Sequence, residues 1–245
     1  MSNTGARKFC VLTPGRSGST ALMDALQEFS DIALPNKQID CPDNELVHPR
    51  YLSRNLRQYS RIAGCPVSDA DQLIETFFRL NSRCRYAGFK SMPYRHRDFA
   101  NFVNRGDMTF ITLVRHDVAS AVASLRVAQD RDIWIRAGEA QDHRWTFQRE
   151  DKSILRTIAR LWKELEMLRN VKNAIRLSYE GLCDAERVEV ELNGYFGRTI
   201  KIREISPPTK GRSYVTNWDE FKEFVDGVWA ELAARQQRRR GMAHE

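Results

Sequence analysis

Residues 10–26, CVLTPGRSGSTALMDAL, contain the feature that most constrains the fold of this chain. The apolar run at 8–13 predicts a buried strand that stops at Pro14, and apolar residues recur at helical spacing from Ser19 to Phe29. A strand, a glycine-rich turn and a helix in this order direct backbone N–H groups and the positive end of a helix toward one point. The segment therefore predicts an anion-binding turn in an α/β protein.

Predicted strands and helices alternate along the rest of the chain, which indicates a parallel sheet covered by helices on both faces. Strands are predicted at 86–90, 108–114, 173–178 and 199–204, helices at 71–84, 117–129, 154–169, about 185–196 and 218–238, and long loops at 31–66. We predict a single α/β domain over residues 1–245, with a central parallel sheet, a P-loop-like turn and a basic tail at 235–245.

The composition predicts where the protein is located in the cell and the charge of its ligand. Five scattered cysteines without a Cys-x-x-Cys pair predict reduced thiols, a cytoplasmic location and no zinc site. No apolar run approaches the roughly 20 residues of a membrane span, and MSNTGARKF lacks the apolar region of a signal peptide. The net charge of +7 favours an anionic ligand, a nucleic acid or an acidic membrane surface. Four arginines between Arg235 and Arg240 contribute to it, and we expect them to be solvated.

The turn does not match two common catalytic motifs, the Walker phosphate loop and the nucleophile elbow. No lysine precedes Ser19 or Thr20 as in the Walker pattern, and the spacing of a nucleophile elbow fails at Ser19. We expect the backbone N–H groups of the turn to bind a phosphate and Arg16 to reach the same anion; these residues are Gly15, Arg16, Ser17, Gly18, Ser19 and Thr20. The alternative is an ordinary turn capped by Ser17 or Ser19.

A second anion pocket is predicted in VRHDVASAVASLRVAQ, residues 114–129. Arg115 ends the buried strand, Asp117 can cap the following helix, and Ser120 and Ser124 share one helix face. The alternative is a helix of small residues that packs on the sheet, with Arg115 in a salt bridge. Two such pockets at neighbouring strand ends suggest a ligand with two separated phosphates.

Together these two motifs resemble those of sulfotransferases that use 3'-phosphoadenosine-5'-phosphosulfate (PAPS). The R-H-D-V-A-S-A-V-A-S element is similar to that of bacterial carbohydrate and nodulation-type enzymes, including trehalose sulfotransferase. GFKSM (88–92), LSYEGL (177–182) and PPTKGRSYVTNWDEF (207–221) look like weaker motifs of the same family. The resemblance implies a P-loop-like sulfotransferase fold, PAPS as donor, 3',5'-ADP as product and no metal.

The resemblance also implies roles for single residues. The turn would hold the 5'-phosphosulfate, and Arg115 and Ser124 the 3'-phosphate. Tyr179 would contact adenine, and Lys210 and Arg212 lie in the basic loop that closes over the 3'-phosphate. Lys90 either contacts the sulfonate or merely ends a strand.

The general base is where the chain departs from the family pattern, because no glutamate follows the first helix until Glu45. Glu45 and His48 are the nearest candidates for the base that an acceptor hydroxyl needs, and each is also compatible with an ordinary loop role. The next candidates are Asp40, Asp43 and the segment 139–142. Arg16 would stabilise charge on the leaving group.

The acceptor is expected to be a small polar molecule, sugar-like or cationic, bound by the loops at 31–66 and 130–151. The aromatic residues Trp134, Trp145 and Phe147 and the acidic residues Glu139 and Asp142 suggest this; alternatively the aromatic residues only anchor the loop. Two other functions stay open: a phosphate-loop kinase and a basic nucleic-acid-binding protein, although no nucleic-acid module is recognised. We expect no nucleic-acid partner, and a homo-oligomer remains possible.

Overall fold

The computed structural model describes residues 5–36, 44–131, 144–183, 192–202 and 212–242. Contacts within the chain divide it into two compact units. The first comprises Met1–Val114 and Met167–Ile205, and the second Arg115–Glu166 and Ser206–Glu245. The expectation of one domain stays a prediction.

The first unit is built on a five-stranded sheet in the order β2-β3-β1-β4-β5, and every strand pair in it is parallel. The strands are β1 (Arg7–Leu12), β2 (Ile32–Ala33), β3 (Tyr86–Ser91), β4 (Met108–Val114) and β5 (Ile175–Ser178). Four of these agree with the predicted strands to within two residues. The predicted α/β fold with a central parallel sheet is therefore confirmed.

The principal helices of both units follow in chain order. They are α1 (Ser19–Gln27), α2 (Pro49–Ala63), α3 (Ala70–Leu80), α4 (Phe99–Val103), α5 (Val118–Arg131), α6 (Lys152–Arg169), α7 (Tyr179–Leu182) and α8 (Trp218–Met242), with a 3-10 turn at Pro93–Arg95. None of the described helices is long and apolar enough to cross a membrane.

Both faces of the sheet are covered within the first unit. On one face Phe9 and Val11 of β1 share a fully buried cluster with Leu22 and Leu26 of α1. On the other face the rings of α3 pack on Phe89 of β3, with Phe77 at 6.4 Å between ring centroids. Because successive side chains of a strand point to opposite faces of the sheet, each strand contributes residues to both cores.

Gly88 is required by the packing of β1 on β3. It lies directly opposite Phe9, and a Cβ atom at this position would come within 2.5 Å of the Phe9 ring. Since real Cβ atoms do not approach an aromatic ring so closely, only glycine lets Phe9 lie flat across the neighbouring strand.

The prediction of long loops over 31–66 is wrong for 49–63, which form α2. The helix begins after His48, whose ring accepts a hydrogen bond from the Arg50 N–H, and Pro49 occupies the first helical position. Gly64 ends it in the left-handed conformation. Asn55 and Tyr59 are its buried residues, and the apolar residues Leu52, Leu56 and Tyr59 recur along it at helical spacing.

The predicted strand at 199–204 is also wrong in its described part, since 199–202 pair with no strand. Ile200 is instead fully buried in the core beneath α1, and Ile202 packs against that core. The alternating apolar residues that suggested a strand are explained by burial in this core, because the described residues 199–202 do not pair with a strand. Of the helix predicted near 185–196, residues 192–196 are helical and 184–191 lie outside the described part.

The second unit has its own apolar core, formed by α5, α6 and α8. Val122 and Leu125 of α5, Ile158 of α6, and Phe221 and Val225 of α8 belong to it. α8 continues to Met242, so the basic tail is helical as far as that residue. Within the tail, Arg235 pairs with Glu231 and Arg240 with Glu166.

Candidate active site

Residues 13–20, termed the glycine loop, connect β1 to α1 through two left-handed residues. Arg16 has φ 67° and Gly18 has φ 80°. Ser17 lies between them with 1% of its surface exposed, and its Oγ donates to the Pro14 carbonyl at 2.6 Å. The Thr13 and Ser17 hydroxyls are 2.8 Å apart. The buried Ser17 side chain therefore stabilises the turn through hydrogen bonds within the loop.

The helix that follows the glycine loop begins without a capping side chain. Gly18 is the N-cap residue of α1, and no side chain accepts a hydrogen bond there. The alternative of an ordinary turn held by Ser17 or Ser19 stays open, since Ser17 bonds within the turn. Since the first N–H groups of a helix have no intrahelical partner, the start of α1 offers donors and the positive end of its dipole to an anion.

Tyr179 fixes the glycine loop from the end of β5. It is the first residue of α7, and Ser178 caps that helix by accepting the Gly181 N–H at 3.0 Å. A Cβ atom at Gly18 would lie 2.7 Å from Cδ2 of Tyr179, so the ring packs directly on the loop backbone. Tyr179 is 6% exposed. Its role as an adenine contact stays a prediction.

Glu45 and Lys90, proposed separately from the sequence, are brought together. They form a parallel β-bridge, and Lys90 Nζ lies 3.8 Å from Glu45 Oε1. Glu45 is 2% exposed and Lys90 3%, so Glu45 does not lie in an open polar loop as expected. The Lys90 N–H donates to the Asn44 carbonyl at 3.0 Å, which fixes the segment before Glu45 to β3.

A second cation, Arg95, approaches the same carboxylate. Its guanidinium nitrogen is 3.2 Å from Glu45 Oε2, and its side chain is 10% exposed. We call Glu45, Lys90 and Arg95 the buried charge cluster. Two cations and one carboxylate give it a formal charge of +1. Buried charge is costly unless it is paired, so the carboxylate and the two cations stabilise one another.

The buried charge cluster and the glycine loop lie at the same edge of the sheet. Lys90 is opposite Val11 of β1, and Ser91 is opposite Leu12, the last residue before the loop. The Ser91 carbonyl also accepts the Thr13 N–H at 3.1 Å. Because parallel strands end at a common edge, this is where α/β proteins bind ligands.

His48 and His96 have structural contacts in the same unit. Nδ1 of His48 accepts the N–H of Arg50 at 3.1 Å, so this nitrogen is used in capping α2. His96 was not singled out in the sequence; its Nε2 lies 2.8 Å from Ser91 Oγ. Burial lowers the pKa of His96 from 6.5 to about 4, which keeps the ring neutral near pH 7.

Arg115 and Ser124 belong to the second unit, and both are 7% exposed. Asp117 accepts the Ser120 N–H at 2.9 Å and the Ser120 hydroxyl at 2.6 Å, so the predicted start of this helix at Asp117 is confirmed. Ser120 is consequently used in the cap. The assignment of Arg115 and Ser124 to a 3'-phosphate stays a prediction.

Arg212 lines an open cavity of about 640 Å³ in the second unit, together with Arg144, Trp218, Asp219 and other residues. Trp145 and Phe147 instead pack on Phe221, at 5.4 and 5.3 Å between ring centroids. These two rings therefore anchor the segment to α8, as the alternative interpretation expected.

Several predicted residues cannot be placed. Lys210, Asp40, Asp43, Trp134 and the segment 139–142 lie outside the described residues. A scan against protein-family models finds no match, and a search of curated proteins finds no significantly similar chain.

Proposed function

We propose that this protein is a PAPS-dependent sulfotransferase, which transfers a sulfuryl group to a hydroxyl or amine of a small polar acceptor. The observation that carries the proposal is the position of the buried Lys90–Glu45 pair beside the glycine loop, at one edge of the parallel sheet. Anion-binding N–H groups, a cation and a carboxylate are the groups that sulfuryl transfer requires.

The glycine loop supports a phosphosulfate donor better than a nucleoside triphosphate. The uncapped start of α1 supplies N–H donors, but the loop has no lysine of its own. In our proposal Lys90 supplies the missing positive charge from the neighbouring strand. A phosphate-loop kinase would need a lysine before Ser19, so we rank that function second.

The proposed reaction is an in-line displacement at sulfur. The acceptor oxygen forms a bond to sulfur while the bond from sulfur to the 5'-phosphate oxygen breaks, and 3',5'-ADP leaves. The acceptor proton passes to Glu45, and charge on the leaving oxygen is stabilised by Arg16 and the loop N–H groups. Lys90 Nζ lies 3.8 Å from Glu45 Oε1, and in the proposed reaction it also contacts the sulfonate.

Nucleotide binding provides the first test, because a PAPS site should recognise a 3'-phosphate whereas a site for an ordinary nucleoside triphosphate should not. We expect 3',5'-ADP to bind about 10- to 100-fold more tightly than 5'-ADP, from the roughly 1.5–3 kcal/mol of a charge-assisted contact. Isothermal calorimetry measures both ligands, and 2',5'-ADP is the matched control because it has the same groups in another position. Equal affinities for 3',5'-ADP and 5'-ADP would contradict the proposal and favour a kinase.

Group transfer provides the second test. PAPS labelled with radioactive sulfur is incubated with a panel of saccharides, phenols and amino alcohols, and with water alone as acceptor. Label in a product, with release of 3',5'-ADP, is the expected result. Salt-sensitive binding of DNA or RNA, lost with residues 235–240 and without nucleotide binding, would instead indicate the nucleic-acid alternative.

A further inference from the structure

Arg95 contacts the carboxylate that the proposed reaction uses as base. Its guanidinium lies at 3.2 Å from Glu45 Oε2, whereas Lys90 lies at 3.8 Å from the other oxygen, Oε1. The two cations therefore contact different oxygens of the carboxylate. Among the residues that the structure describes, Glu45 is the one carboxylate within 4 Å of Arg95.

The position of Arg95 is fixed by its own surroundings. It closes the 3-10 turn that starts at Pro93, and its N–H donates to the Met92 carbonyl at 3.0 Å. The guanidinium lies 4.7 Å from the centroid of the Tyr94 ring and 3.9 Å from the Met92 sulfur. These contacts order the cation before any ligand arrives.

The two cations are suited to different tasks. Lys90 belongs to the strand that neighbours β1 and so approaches the edge where the glycine loop begins. If Lys90 turns to the sulfonate, Glu45 needs another partner to remain ionised and correctly oriented. Arg95 can provide this contact, because its short turn holds it on Oε2.

We infer that Arg95 is the positioning residue for Glu45, holding the carboxylate toward the acceptor while Lys90 contacts the transferring group. The inference rests on the proposed function. It predicts that Arg95 acts on turnover through Glu45, with no direct effect on donor binding.

A double-mutant cycle tests this role. The variants are Arg95→Met, Glu45→Gln and the double variant, with Arg97→Met as the matched control on an exposed arginine two residues away. Turnover is measured with labelled PAPS and the best acceptor of the panel, or water if none is better. Arg95→Met should lower kcat by about 10²-fold and leave 3',5'-ADP affinity unchanged, since misplacing a catalytic group costs this much.

The decisive comparison is the effect of Arg95→Met in the Glu45→Gln background, where we expect no further loss. Arg95→Lys, which keeps a cation near Glu45, should recover part of the turnover and replaces Arg95→Met if that variant does not fold. Additive losses, unchanged turnover or weakened 3',5'-ADP binding would overturn the role of Arg95. A wild-type protein that neither binds 3',5'-ADP nor transfers label would instead overturn the proposed function, and this role with it.

Discussion

The buried His96 should make the stability of the fold depend on pH. Its Nε2 is 2.8 Å from the Ser91 hydroxyl, and its ring stacks on Phe102 with 3.6 Å between centroids. The backbone carbonyl of Ser91 accepts the Thr13 N–H at the start of the glycine loop. Protonation of His96 therefore strains the strand end that supports the proposed site.

The size of this effect follows from the lowered pKa. Burial moves the pKa of His96 from 6.5 to about 4, so between these values the unfolded chain takes up a proton that the folded chain refuses. Stability is present above about pH 6.5 and is lost as the pH falls toward 4. At roughly 1.4 kcal/mol per pKa unit, the loss between pH 7 and pH 4 is about 3 kcal/mol.

Urea unfolding followed by tryptophan fluorescence at pH 7 and pH 4 measures this loss. The control is His96→Phe, which keeps an aromatic ring over Phe102 but cannot titrate. Wild type should lose about 3 kcal/mol more than the variant on acidification, since all other groups titrate in both proteins. Equal losses in the two proteins would refute the reasoning, because the neutral state of His96 would then contribute nothing.

Two further predictions concern the donor site. Gly18→Ala should abolish 3',5'-ADP binding, because it adds about 1–2 kcal/mol of left-handed strain and a contact of 2.7 Å with Tyr179. Gly64→Ala is the control: its φ is also left-handed at 66° but its Cβ would meet open space, so binding measured by calorimetry should persist. Arg115→Ala and Ser124→Ala should each weaken 3',5'-ADP binding, Arg115→Ala more strongly, with circular dichroism unchanged. A variant that unfolds at room temperature would show that its residue is structural.

The elements that the sequence predicts most accurately are those in which nearly every residue is apolar and buried. β4, MTFITLV, is almost entirely apolar or β-branched, and its predicted bounds of 108–114 are correct. α2 is less evident, because it buries only Asn55 and Tyr59 and many polar residues separate its apolar positions Leu52 and Leu56. Pro49 and Gly64 are residue types typical of a helix start and a helix end, so they indicate the bounds of α2 in the sequence.

The site was predictable only where one segment contains it. The glycine loop follows from a contiguous run of residues, and the structure keeps its strand, turn and helix in that order. The buried charge cluster depends instead on the β-bridge between Glu45 and Lys90 and on a 3-10 turn that returns Arg95 toward them. Neither contact produces a periodic pattern in the sequence, so Arg95 is not among the predicted site residues.

The central place of β1 in the sheet has a consequence for synthesis of the chain. Phe9 pairs on one side with Gly88 and on the other with Thr109, both far along the sequence. The glycine loop thus leaves the ribosome well before the strands that support it. Because pairing between distant segments is slow, we expect the nascent chain to gain nucleotide affinity only after β4 has emerged. Until then the apolar residues of β1 are without their partners and need protection from aggregation.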